Sequence, residues 1–147
     1  MKKPAYFLLI HTFIFLAAPC AFAKDSATII ADANRLYKAG KYDDALKLYD
    51  EVLTPNPDSP LIHFNIGTAN FKKGDYEKAV GSFEKAALSG DTQLEAKANY
   101  NIGNAKYKLG KRKENTDLSA TVKLLREALD YYKRAIEVNN KGRDTKI

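Results

Sequence analysis

Apolar side chains recur at helical spacing along most of the chain. Ile62, Ile66 and Ala69, then Val80, Phe83 and Ala87, follow one another at steps of three or four, the period of one face of an amphipathic helix. Gly74-Asp75 lies between the two runs and predicts a turn joining two helices. Further on, Leu118, Val122, Leu125, Leu129, Tyr132 and Ile136 alternate steps of four and three, a heptad-like seam. With Asp117 as N-cap, the seam predicts one helix from about Leu118 to Val138, roughly 30 Å long at about 1.5 Å per residue. No period-two alternation competes, so the pattern predicts an all-α fold.

The hairpins repeat. Gly40-Lys41-Tyr42-Asp43-Asp44-Ala45 falls on Gly74-Asp75-Tyr76-Glu77-Lys78-Ala79 at an offset of 34, and the same frame pairs Ala33 with Gly67, Tyr49 with Phe83 and Val52 with Ala86. A third copy starts two residues late, with Ile102-Gly103-Asn104-Ala105 on Ile66-Gly67-Thr68-Ala69 and Gly110 on Gly74. The frame breaks there and resumes 13 residues late at Ala128, Tyr132 and Ala135. Such a period implies a solenoid of stacked units, none of which can bury its apolar face alone. Small residues at Gly67, Ala79 and Ala86 let backbones approach while aromatics fill the opposite volume. Pro57 and Pro60 close the first unit, since proline can start a helix but not continue one.

The units divide at about 26–59, 60–93 and 96–140, with an insertion at 111–123 that opens on the charged loop Lys111-Arg112-Lys113-Glu114-Asn115. Residues 141–147 read as a tail or as the start of a missing fourth repeat. Leu118, Val122 and Leu125 have two readings: they fold back on a lengthened first helix, or they form a protruding apolar contact edge. No polar capping helix follows the third unit, so the chain is either truncated or covered there by a partner or a second copy.

These residues resemble the tetratricopeptide repeat family. Counting the second unit from Pro60, the family's small residues at positions 8, 20 and 27 are Gly67, Ala79 and Ala86, and its aromatic at 24 is Phe83. The first unit has Ala33, Leu36, Ala45, Tyr49, Val52 and Pro57 in the family's places, and the resemblance spans about residues 26 to 140. Asp32 departs from it, and His63 and Asn99 stand where the family has tryptophan, which suggests a looser first helix. The resemblance implies a right-handed superhelical array of about three helix-turn-helix repeats, the last with an extended second helix. It also implies a non-catalytic module that binds a peptide or protein partner on the concave face of the first helices. The residues mapping to that face are Ile30, Asn34 and Tyr37; Leu61, Phe64, Asn65 and Thr68; and Lys97, Tyr100, Asn101, Asn104 and Lys108. The family's carboxylate clamp has counterparts at Asn34, Asn65 and Lys97, while Ile30 and Asn101 replace two of its cations. The amides have a second reading as structural groups on the helix surface. The long last helix and Asn139-Asn140-Lys141-Gly142-Arg143-Asp144 are similar to tetratricopeptide proteins of bacterial aerotolerance operons. That likeness implies as partner a membrane-anchored protein with a von Willebrand factor A domain.

The N-terminus adds a location. Met1-Lys2-Lys3, an apolar stretch from Ala5 to Ala18 and Ala21-Phe22-Ala23 form the three parts of a secretory signal peptide. The apolar stretch is shorter than the roughly 20 residues needed to span a bilayer. Cleavage after Ala23 and export to the periplasm are expected; Pro19 before Cys20 argues against lipidation there. Cleavage removes His11 and Cys20 and leaves His63 as the single histidine. That excludes a disulfide framework and a Cys/His zinc cluster and leaves little for acid–base catalysis. No cofactor, metal site or catalytic residue is expected. Residues 24–105 carry 10 basic and 12 acidic groups, whereas 106–147 carry 12 and 6. A basic end attracts anionic surfaces or acidic proteins; export argues against nucleic acid. The alternative function is assembly by self-association through the uncapped third unit.

Overall fold

A computed structural model describes residues 25–144 of the chain; the expected signal peptide lies outside the described residues. Six helices follow one another: α1 (Ser26–Lys38), α2 (Tyr42–Leu53), α3 (Pro60–Lys73), α4 (Tyr76–Ala86), α5 (Thr92–Lys113) and α6 (Leu118–Asp144). They pair as three hairpins, and α3 and α5 also pack on α2 and α4, so the hairpins stack in chain order. Among the described residues there is no strand.

Local signals set the ends of these helices. The Asp25 carboxylate accepts from Thr28 N at 2.6 Å and Asp91 accepts from Gln93 N and Leu94 N, so each caps an N-terminus. Gly40 and Gly74 close α1 and α3 in the left-handed region, at φ 75° and 87°. Around each, two backbone bonds tie the turn back: Lys41 N donates to Leu36 O and Gly40 N to Tyr37 O, and Asp75 N donates to Asn70 O and Gly74 N to Phe71 O. This is the Schellman closure that glycine adopts without a Cβ clash.

The repeated small and aromatic positions form the core. Ala33, Ala45, Tyr49 and Val52 lie buried with Ile62 and Ile66 of the next hairpin. Ala79, Val80, Phe83 and Ala86 lie buried with Ala98 and Ile102. A Cβ on Gly67 would sit 2.7 Å from the Phe83 ring, and one on Gly103 2.6 Å from the Tyr132 ring. His63 and Asn99, in the family's tryptophan place, are buried with their polarity satisfied: His63 Nε2 donates to Pro57 O at 2.7 Å and Asn99 Nδ2 to Glu95 O at 3.0 Å. α1 runs 13 residues, and Asp32, its side chain 24% exposed, pairs with Arg35.

The third hairpin corrects three expectations. Gly110 does not turn the chain as Gly40 and Gly74 do. It lies buried inside α5, where a Cβ would meet Leu125 at 3.3 Å and Leu124 at 3.4 Å. Lys111, Arg112 and Lys113 therefore form the last turn of α5, not a loop, and cations there suit the negative end of the helix dipole. Second, α6 continues past Val138 to Asp144, so residues 141–144 extend that helix and are not a separate tail. Third, only part of the heptad-like seam is the packing seam: Leu125 and Tyr132 lie half-buried against Gly110 and Gly103. α6 buries Thr121, Ala128 and Ala135, spaced by seven, while Leu118, Val122, Leu129 and Ile136 are 69%, 42%, 52% and 61% exposed. The lengthened first helix exists, but Leu118 and Val122 do not bury themselves on it. Asp117 does cap α6, accepting from Ala120 N at 2.9 Å.

Candidate interaction face

Residues of the first helices gather in two places. Asn34 and Tyr37 of α1 and Asn65 and Thr68 of α3 line a cleft of about 250 Å³, together with Lys38 and Tyr49. Lys97 and Tyr100 of α5 line a larger groove of about 770 Å³ with Tyr132, Ile136 and Arg143 of α6. Sequence reasoning missed Lys38, Tyr49, Tyr132, Ile136 and Arg143 as lining residues. Tyr49, Tyr132 and Ile136 had been read as packing positions; a phenol at the repeated aromatic position is the signal that could have brought the two tyrosines in.

Several expected face residues are engaged within the fold. The Tyr49 hydroxyl donates to Asn34 Oδ1 at 2.6 Å, and the Tyr132 hydroxyl to Asn104 Oδ1 at 2.9 Å. Asn104 Nδ2 reaches Asn101 Oδ1 at 3.5 Å. Thr68 donates to Phe64 O at 2.8 Å, and the Phe64 ring packs on Phe83 with centroids 5.5 Å apart. Leu61, at 56% exposure, and Lys108 lie on the helix surface outside both clefts. Of the apolar edge, Leu118 and Val122 are exposed and Leu125 is half-buried against Gly110.

Burial raises the Tyr49 and Tyr132 phenols above their ordinary value, with neighbouring tyrosines adding to the effect. Among the described residues no three His, Cys, Asp or Glu side chains come together to hold a metal. The arrangement combines aromatic floor, amides and lysines, groups that bury apolar side chains and hydrogen-bond a polypeptide.

Residues 30–95 match the tetratricopeptide repeat family model. That stretch of the chain carries the family's repeat. Heat shock protein STI1 of Saccharomyces cerevisiae is 29% identical over 110 residues, which cover 71% of this chain and 18% of that protein. TPR repeat-containing protein MJ1428 of Methanocaldococcus jannaschii is 28% identical over 109 residues, 74% of this chain and 18% of that protein. The match thus spans less than a fifth of either relative. Among solved structures, the N-terminal domain of stress-induced protein-1 from C. elegans superposes with a TM-score of 0.56 at 24% identity, covering 78% of this chain and 94% of that one. The first TPR of Spaghetti (RPAP3), bound to the HSP90 peptide SRMEEVD, does so with 0.53 at 21% identity, covering 78% and 93%. Both show the all-α tetratricopeptide fold that the repeat pattern predicts.

Proposed function

We propose that this tetratricopeptide array is a non-catalytic interaction module that holds a peptide or protein partner on the face of its first helices. The carrying observation is the cleft between α1 and α3, where Tyr37, Asn65 and Thr68 meet beside Lys38. A cleft of aromatic, amide, hydroxyl and ammonium groups suits recognition better than bond-making, and His63 lies outside it, buried and bonded to Pro57 O. The RPAP3 domain, with the same fold, was solved with a peptide bound, which supports the reading at the level of class. Its acidic peptide is a poor guide to this ligand, because Ile30 and Asn101 stand at two of the family's cationic positions.

In the same proposal the protein works in the periplasm after cleavage behind Ala23. Its partner there is a membrane-anchored protein, of which a von Willebrand factor A-domain protein is the candidate. N-terminal sequencing of the protein from a periplasmic fraction tests the export; a chain still carrying Met1-Lys2-Lys3 refutes it. The binding face is tested by affinity capture from periplasmic extract with the wild-type chain and with Tyr37→Ala/Asn65→Ala. A partner retained by the first and lost by the second, with both folded by circular dichroism, is expected. Equal retention by both refutes the cleft.

A further inference from the structure

The three second helices present equivalent positions to whatever lies on them. In the first repeat Tyr49 is 1% exposed because Ile62 and Ile66 of α3 pack with it. In the second Phe83 is 1% exposed, packed with Ala98 and Ile102 of α5. Each time the cover is a helix with two apolar or small residues four apart, Ile62/Ile66 or Ala98/Ile102. The third repeat carries the same surface. Tyr100 and Tyr132 pack at a tilt of 47° with centroids 5.6 Å apart, and Phe64 and Phe83 pack edge-on at 60° with centroids 5.5 Å apart. Tyr132 and Ala135 floor the large groove, while Ile136 stands 61% exposed where the second repeat has the half-buried Ala87. The groove therefore has the shape and chemistry of a helix seat already used twice in this molecule.

Charge narrows the choice of occupant. Among the described residues, Lys97 and Arg143 are the charged side chains lining the groove, and no carboxylate lines it. The surrounding segment 106–147 carries twelve basic and six acidic residues. A second copy offering its own α6 would bring that excess to the same place, which opposes association; a helix with carboxylates beside its apolar pair would be attracted.

We propose that the groove between α5 and α6 docks an amphipathic helix of a partner protein, one carrying two aliphatic residues four apart with acidic residues flanking them. The seat is that of the next first helix in the stack. Lys97 and Tyr100 also belong to the concave face, but Ile136 and Arg143 belong to a second helix, so the groove goes beyond the cleft of that reading, which is built from α1, α2 and α3.

The test uses the full chain and two fluorescently labelled stapled peptides. One has the sequence of residues 92–109, whose helix already covers the second repeat; the other is identical except that the lysines copying Lys97, Lys106 and Lys108 are glutamates. Fluorescence anisotropy should show the acidic peptide binding about fivefold more tightly at low salt, with the preference fading in high salt. Ile136→Asp should weaken both peptides about tenfold or more, since it places a charge where an aliphatic pair must be buried. Lys97→Glu should remove much of the acidic preference without abolishing the basic peptide's binding. Tyr37→Ala/Asn65→Ala should change neither, so that failure of the cleft and failure of the groove are read separately. Ile136 is exposed and its substitution is compatible with folding, which thermal melting verifies. Binding of neither peptide, indifference to Ile136→Asp, or no preference for acid overturns the proposal. So does a concentration-dependent dimer by light scattering that Ile136→Asp dissociates, because the occupant is then a second copy.

Discussion

The Tyr132 hydroxyl donates to Oδ1 of Asn104 at 2.9 Å, joining the two helices of the third repeat. Tyr49 does the same to Asn34 in the first repeat at 2.6 Å. The second repeat has Phe83 and Thr68 in these places, and Thr68 turns its hydroxyl to Phe64 O. Aromatic and polar positions have changed together, so that no polar atom is left facing a ring edge.

Tyr49→Phe alone should therefore destabilise the fold by about 1 kcal/mol, because the Asn34 amide loses its donor. Tyr49→Phe with Asn34→Thr copies the second repeat and should recover most of that. A double-mutant cycle by denaturant unfolding measures the coupling; strict additivity would contradict it.

The same tyrosines set an alkaline limit. Burial, aided by Tyr37 for Tyr49 and by Tyr100 for Tyr132, raises both phenols above 10.0. The folded state holds these protons more tightly than the unfolded one. Their contribution is fully present below the unfolded value and is lost as pH rises through the folded value. Melting temperature should fall as the pH climbs above 10, in step with delayed tyrosinate absorbance, and the fall should shrink in Tyr49→Phe.

Close approach at Gly103 should be less forgiving than at Gly67. At Gly67 the three atoms nearest to an added methyl all belong to the Phe83 ring, whereas at Gly103 they include Ala128 O at 3.1 Å beside the Tyr132 ring. Gly67→Ala and Gly103→Ala should each destabilise by about 1–3 kcal/mol, Gly103→Ala the more, since a helix carbonyl cannot turn aside as a ring can. Thermal melts of the two variants give the order.

Arg112 joins the lengthened α5 to the previous repeat. Its guanidinium donates to Gly74 O at 2.8 Å and lies 4.4 Å from the centre of the Tyr76 ring. Arg112→Ala should lower hydrogen-exchange protection at the Gly74 turn and cost about 1 kcal/mol, and Arg112→Lys should restore little of it, because an ammonium lacks the planar fork.

An ion pair of Lys73 with Asp43 ties α3 to α2. Lys73 holds the Asp43 carboxyl below its ordinary range, and Asp43 raises Lys73. The Asp43 contribution is present above the unfolded carboxylate value of 3.8 and is lost as pH falls through the lower folded one. Asp43→Asn should flatten the acid limb of the stability curve below that value; high salt should flatten it as well, because the Asp43 side chain is 75% exposed. An unchanged limb would show that the pair is not formed in solution.

The repeat was legible in residues that do one job wherever they occur. Ala33, Gly67 and Gly103 mark helix crossings, and Tyr49, Phe83 and Tyr132 fill the space beside them, so spacing alone located three hairpins. The candidate site was less legible. Asn34, Tyr37, Asn65 and Thr68 do share a cleft, but Asn104 and Asn101 are bonded to their own repeat, and Phe64 packs on Phe83. Position on a helix face says where a side chain starts, not which neighbour its polar atom reaches.

Periodicity, small residues and caps are local properties of the chain, and they determined by themselves that it is a stack of α-hairpins with a long last helix. What the third hairpin does with them was decided by packing. Gly110, a turn residue by analogy with Gly74, stays helical because the Leu124 and Leu125 side chains close over it. α6 then rests on Thr121, Ala128 and Ala135, with Leu125 over Gly110 and Tyr132 over Gly103, while Leu129 and Ile136 face outward. An apolar stripe in a sequence shows that a face needs cover, but the shape of the neighbouring helix selects which stripe is covered.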